Sequence, residues 1–191
     1  MNGIILASGF SERMGENKLL MKFKDNTIIE QVIDIVKSSN LNKVILVARD
    51  DRIINIGKEK RINSIKNYYA IIGQSSSIKI GINNSNLEEN YMFFCGDQPF
   101  IDKESINRLI DISNKNKDNI IIPRIEKDFG SPVIFPKEFK EELLDLKGDI
   151  GGKYIINNYL DKVLYVEIDN KLFLKDIDNK EDYNKYIKMI K

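Results

Sequence analysis

Residues 5–20 read ILASGFSERMGENKLL, an apolar run that stops at Ser8-Gly9 and is followed within nine residues of Gly9 by Arg13 and Lys18. A strand that ends in a glycine loop and then offers two cations suits an anionic ligand, above all a phosphate. Backbone N–H groups can line such a loop, lysine adds a mobile charge and arginine a planar fork. The spacing is not that of a Walker A loop, because five residues separate Gly9 from Gly15 and Lys18 lies three further on. It is not G-x-G-x-x-G either. For this stretch alone, a solvated turn is the alternative.

Working outward, short β-rich runs alternate with longer amphipathic ones. Strands are expected at 3–7, 43–48, 91–95, 119–123, 132–136 and 162–168, and helices at 27–39, 75–85, 103–115, 137–145, 150–160 and 180–190. In TIIEQVIDIVKSS, apolar residues at 28, 29, 32, 33, 35 and 36 share one helical face. Alternating β and α units predict an α/β fold, a Rossmann-like, doubly wound, mostly parallel sheet. Ligands of such sheets sit beyond the carboxyl ends of the strands. The 191 residues suit a single domain, with a small acceptor-binding lobe expected within 124–160, where glycine and two prolines interrupt the βα rhythm.

Composition narrows the chemistry. Thirty basic against twenty-nine acidic residues give a net charge of +1, so no global field recruits nucleic acid. No run approaches the about 18 apolar residues that span a membrane, and the start lacks the basic region of a signal peptide, so the expected location is cytoplasmic. The lone Cys95 excludes an internal disulfide and reads as a buried structural thiol. The absence of histidine removes histidine triads, zinc sites and proton shuttles. Carboxylates, lysine, arginine, hydroxyls, backbone dipoles or a hard metal ion must carry any reaction.

Four later motifs qualify. In FFCGDQPF, Asp97 follows an apolar strand, where a carboxylate suits Mg²⁺ together with substrate phosphates. Helix capping is its alternative, but the next helix begins later, near Asp102. In GQSSSIKIGI (73–82), the serines at 75–77 either cap a helix or meet a base or ribose. In LKGDIGGKYIINNYL (146–160), Gly148, Gly151 and Gly152 mark a turn or a close ligand approach, with Asp149 as a helix N-cap. In KDIDNKEDY (175–183), Asp176 or Asp178 could complete a metal site with Asp97, or remain a surface charge.

Together these motifs resemble the MobA/MocA-like nucleotidyltransferases, on the cytidylyl side. The family's L-A-x-G-x-S-x-R-M-G-x-x-K appears without a gap as Leu6 to Lys18, its G-D-Q-P as Gly96 to Pro99, its G-Q-x-x-S as Gly73 to Ser77, and its G-D-x-G as Gly148 to Gly151. The resemblance covers nearly the whole chain and implies the nucleotide-diphospho-sugar transferase type of fold. Departures fall at the acceptor end: Gly130-Ser131-Pro132-Val133 replaces G-H-P-V, and Gly-Gly-Lys at 151–153 replaces G-A-R.

The resemblance implies transfer of a nucleotidyl group from CTP to the terminal phosphate of molybdenum-bound molybdopterin, with release of pyrophosphate. It assigns catalysis to Lys18, Arg13 and Asp97, and nucleotide binding to Leu6, Ala7, Ser8, Gly9, Gly15, Gly73, Ser76, Ser77 and Gly96. Mg²⁺ falls to Asp97 and Asp178, with Asp176 as the fallback, and the acceptor to Gly130, Ser131, Asp149 and Gly151. A molybdenum hydroxylase is the implied recipient. The guanylyl branch carries a second glycine at the position of Ser8 and one more residue before the lysine, so this loop predicts CTP over GTP. Rival readings are a guanylyltransferase, a sugar- or terpenoid-pathway cytidylyltransferase of the same fold, and a non-catalytic molybdopterin carrier.

Overall fold

The computed structural model describes residues 1–11 and 14–189. In chain order the elements are β1 (Asn2–Ala7), β2 (Lys22–Phe23), β3 (Asn26–Thr27), α1 (Ile28–Ser38), β4 (Lys43–Ala48), α2 (Asp51–Glu59), β5 (Asn63–Lys66) and α3 (Gln74–Asn83). There follow β6 (Tyr91–Cys95), α4 (Lys103–Lys115), β7 (Ile120–Ile125), β8 (Asp128–Phe129), β9 (Val133–Phe135), α5 (Lys140–Asp145), α6 (Lys153–Asn158), β10 (Val163–Glu167) and α7 (Lys180–Met189).

Among the described residues, eight strands form one sheet of order β10-β7-β9-β6-β1-β4-β5, with β8 paired to β7. β1 sits in its interior, parallel to both β4 and β6, with Leu6 opposite Val47 and Cys95. Only β8 and β9 run antiparallel to their neighbours, so the sheet is mostly parallel. The period of two in β1 divides the core: Ile5 and Ala7 join a cluster with Ile29, Ile33 and Leu109 from α1 and α4. Ile4 faces the other way, onto Ile78 and Ile82 of α3 and Leu143 of α5. Helices on both faces make the sheet doubly wound. Among the described residues, no helix is long and apolar enough to cross a membrane.

Local chemistry explains where the helices begin. Thr27 and Glu30 form a reciprocal capping box at the start of α1, and the Asp102 side chain accepts from Ser105 N–H at 2.7 Å at the start of α4. The expected helix at 137–145 opens with a 3₁₀ turn at Lys137–Phe139 before α5. The expected 150–160 helix shortens to α6, because the glycines before it form a turn.

Besides the two-residue strands β2, β3 and β8, α2 and β5 had no sequence expectation. α2 has few apolar positions and carries Gly57 near its end, where an added Cβ would meet Ser64 Oγ and come within 2.7 Å of Leu46 Cδ2. The glycine thus permits close approach of helix to sheet. β5 reads NSIK, a polar edge strand without an apolar run.

Candidate active site

β1, β4 and β6 end side by side, so the loops that leave them converge. Over these ends lies a cavity of about 540 Å³. The loop after β1 forms one wall, residues 70–74 and Ser77 the opposite one, and Cys95, Gly96 and Asp97 the floor.

Lys18 opens a 3₁₀ turn that Asn17 caps by accepting from Leu19 N–H at 3.2 Å. Its own N–H donates to Ser11 Oγ at 3.3 Å, which closes the loop on itself, and Met14 anchors the middle of the loop in the core. The ammonium then reaches across the floor: Nζ lies 2.8 Å from Asp97 Oδ2 and 2.8 Å from Asp178 Oδ1. Burial opposes the charge on Lys18, but Asp97 and Asp178 outweigh it and hold its pKa above the ordinary lysine value.

Asp178 comes from a segment far away in sequence. Ile177 N–H donates to the Asp97 carbonyl at 3.1 Å, which lays residues 176–178 beside the end of β6. Asn170 holds the chain leading into that segment, donating to Phe100 O at 2.9 Å and to Asp102 Oδ2 at 2.8 Å. Burial, then the Asp178 and Asp97 charges, push the Asp176 carboxyl above its ordinary pKa. Three carboxylates around one lysine leave uncompensated negative charge at a site of hard oxygen donors. Asp97 and Asp178 fit Mg²⁺, which takes one or two carboxylates and completes its shell with water and substrate phosphates. Among the described residues, no three acidic, cysteine or histidine side chains form a closed metal cage.

The opposite wall is built around a residue the sequence reading missed. Asn67, buried just beyond β5, directs Nδ2 at Ser76 Oγ (3.0 Å), Ser77 Oγ (3.0 Å) and Ser8 Oγ (3.4 Å), and accepts from Tyr69 N–H at 2.8 Å. Ser8 in turn donates to Val47 O at 3.3 Å. One amide therefore joins the β1 loop, the β5 exit and the start of α3. Its only sequence signal was an asparagine after a polar strand that itself went unrecognised.

The serines at 75–77 lie inside the first turns of α3 rather than at its N-cap, which is Gly73. Gly73 has φ 109°, and an added Cβ would lie 2.6 Å from Asp149 Cα. This approach lets Asp149 Oδ1 accept from Gln74 N–H at 3.1 Å, while Ser75 Oγ donates to Gly148 O at 2.7 Å. Asp149 therefore serves α3; α6, which it was expected to cap, begins at Lys153 behind Gly152.

Leu6, Ala7, Ser8, Gly9, Gly73, Ser77, Gly96, Lys18, Asp97 and Asp149 all border the main cavity. Ser76 is buried behind its wall, and Gly15 borders a recess on the outer side of the loop. Arg13 lies outside the described residues. Gly130 and Ser131 border a neighbouring cavity of about 230 Å³, with Phe93, Phe129 and Phe135, that meets the first at Leu6, Gln74 and Cys95. Gly151 borders neither, and packs against the Gln74 side chain. Cys95 donates to Ser131 Oγ at 3.4 Å between the cavities, and burial, with Asp97 nearby, pushes its pKa up to about 12. It is a thiol, not a thiolate nucleophile.

Residues 3–163 match the family description "MobA-like NTP transferase domain". The chain belongs to the MobA-like NTP transferase family. A relative named probable molybdenum cofactor guanylyltransferase, from Natranaerobius thermophilus, is 31% identical over 126 residues, covering 65% of this chain and 60% of its own length. A relative of the same name from Aquifex aeolicus is 28% identical over 190 residues, 96% of this chain and 88% of the relative. The solved structure of a nucleotidyl transferase from Methanothermobacter thermautotroptrophicus superposes with a TM-score of 0.83 at 17% identity, covering 98% of this chain and 96% of that one. The likeness in fold to that structure therefore runs over nearly the whole chain.

Proposed function

We propose that this MobA-like chain is a Mg²⁺-dependent nucleotidyltransferase that moves a cytidylyl group from CTP to the terminal phosphate of molybdenum-bound molybdopterin. The observation that carries this reading is Lys18 held between Asp97 and Asp178 on the floor of a cavity walled by a glycine loop. The relatives named for molybdenum cofactor chemistry support the acceptor. A molybdenum hydroxylase is the proposed recipient of the product.

The acceptor phosphate has its second pKa near about 6, so it is largely a dianion at about pH 7 and needs no general base. A chain without histidine can therefore run the reaction. An acceptor oxygen forms a bond to the α-phosphorus as the bond from that phosphorus to the bridging oxygen of pyrophosphate breaks. Asp97 and Asp178 would hold Mg²⁺, which supplies charge neutralisation at the phosphates. Lys18 would stabilise charge developing on the transferring and departing groups. Arg13 is proposed as a further triphosphate contact. The Phe-bordered cavity beside Ser131 is the proposed place for the flat ring system of the acceptor.

Base choice follows from Ser8. Its side chain, held by Asn67 and Val47, thickens the wall where the guanylyl branch has glycine, which favours the smaller pyrimidine. Transfer from GTP is the second reading, favoured by the names of both relatives. Pyrophosphate release with molybdopterin, Mg²⁺ and equal CTP and GTP decides between them. Preferential use of GTP would replace the cytidylyl assignment, and no release with either nucleotide would end the transferase reading.

A further inference from the structure

The turn between β4 and α2 is bound to the glycine loop at two points. Asn17 Nδ2 donates to Asp50 Oδ2 at 3.0 Å, and Arg49 Nε donates to the Gly9 carbonyl at 3.2 Å. The Arg49 guanidinium carbon also lies 4.4 Å from the centroid of the Phe10 ring. That stack fixes the plane of the guanidinium and keeps it at the loop. The turn's other arginine is committed elsewhere, since Arg52 grips Asp50 through Nε at 3.1 Å and Nη2 at 2.7 Å. Among the described residues, no carboxylate oxygen lies within the 4.0 Å of an ion pair from Arg49.

Phe10 is equally unexplained by packing, being 43% exposed. With Ser11 it borders both the main cavity and the outer recess of the loop, and Arg49 borders that recess. The rim of the loop therefore carries a cation that is oriented in advance. Its Nε is used by Gly9, which leaves the two terminal nitrogens for a ligand.

We propose that Arg49, carried on Phe10, is a phosphate-binding residue that takes the outer phosphates of the nucleoside triphosphate. The inference rests on the nucleotidyltransferase reading above and adds to it a residue outside the family motifs quoted from this sequence. Lys18 and Asp97 work on the floor, with Asp178 behind Lys18, where the α-phosphate would react. Arg49 works at the rim, where the β- and γ-phosphates pass along the loop. A monophosphate does not extend that far, so the role has a signature of its own. Lysine cannot reproduce it, because lysine lacks both the planar stack and the Nε–H that bonds Gly9.

Calorimetric titration of the whole chain with CTP and CMP, and in parallel with GTP and GMP, tests this in Arg49→Ala, Arg49→Lys and Phe10→Leu. Melting curves verify that each variant is folded. Arg49→Ala should weaken the triphosphate about 10- to 100-fold, the value of a charge-assisted hydrogen bond, with monophosphate affinity unchanged. Phe10→Leu should show a smaller loss confined to the triphosphate, and Arg49→Lys should recover only part of the alanine loss. Equal losses for tri- and monophosphate would make Arg49 a brace for the loop and overturn the proposal. So would an Arg49→Ala variant that binds like wild type. Wild type binding neither triphosphate would remove the nucleotide reading and this inference together, whereas a wild type that binds while Arg49→Ala is unaffected removes this inference alone.

Discussion

Lys18 Nζ stands midway between Asp97 Oδ2 and Asp178 Oδ1, 2.8 Å from each, although 79 and 160 positions respectively separate the aspartates from the lysine in the chain. The two carboxylates together hold the lysine in its charged form. If Asp97 and Asp178 take Mg²⁺ as proposed, a cation that engaged them would release the lysine toward a phosphate, and cation binding and substrate contact would be coupled through one side chain.

Replacing Asp97 with asparagine keeps the size of the side chain but removes its charge. Turnover should fall by orders of magnitude, about the loss seen when a preorganised electrostatic group is removed. Pyrophosphate release measured across a Mg²⁺ series checks this, with melting as the control for folding. Near-normal release with an unchanged Mg²⁺ requirement would take Asp97 out of the metal site.

The two later aspartates should separate. Asp178 contacts Lys18, whereas the Asp176 carboxyl is held above its ordinary pKa by burial and by its acidic neighbours. Asp178→Asn should raise the Mg²⁺ concentration needed for half-maximal rate, and Asp176→Asn should raise it less. The opposite ranking would exchange their roles.

Asn67→Ala strips the shared donor from Ser8, Ser76 and Ser77 and leaves Tyr69 N–H without its acceptor. A buried group left unsatisfied costs about 1–3 kcal/mol, so denaturant unfolding should show a loss of that order. The wall of the cavity loosens too, and KM for the nucleotide should rise more than kcat falls. A variant with wild-type stability and KM would reduce Asn67 to a bystander.

Ser8→Gly removes the side chain that Asn67 and Val47 hold against the cavity. The ratio of kcat/KM for CTP to that for GTP should fall toward unity. An unchanged ratio would place base selection elsewhere on the wall.

Cys95 bears on alkaline behaviour. Its folded pKa, up to about 12, exceeds the about 8.5 of a free thiol. The folded state therefore favours the protonated form, and this contribution to stability is full below about pH 8.5 and declines as pH rises from there toward 12. Iodoacetamide at pH 8 should label the native protein slowly and the urea-unfolded protein fast. Equal rates would show that the thiol ionises normally.

Local pattern determined much of this protein. The alternation of apolar runs, the apolar face of α1 and the glycine loop ending at Lys18 are properties of neighbouring residues, and they were legible before any coordinates. So was the position of Asp97, because an acidic residue just beyond an apolar strand stands at the ligand-binding edge of a doubly wound sheet; the pair at 176 and 178 was legible only as one of two alternatives. Tertiary structure alone decided the rest. Asn67 gains its meaning from three hydroxyls on two other elements, Asp149 caps a helix 75 positions earlier in the chain, and Arg49 meets Phe10 only because β4 lies beside β1. Hydrogen bonds and ring stacking act over a few ångströms of space, not along the chain. Two residues far apart in sequence become partners only when the sheet order brings their strand ends together.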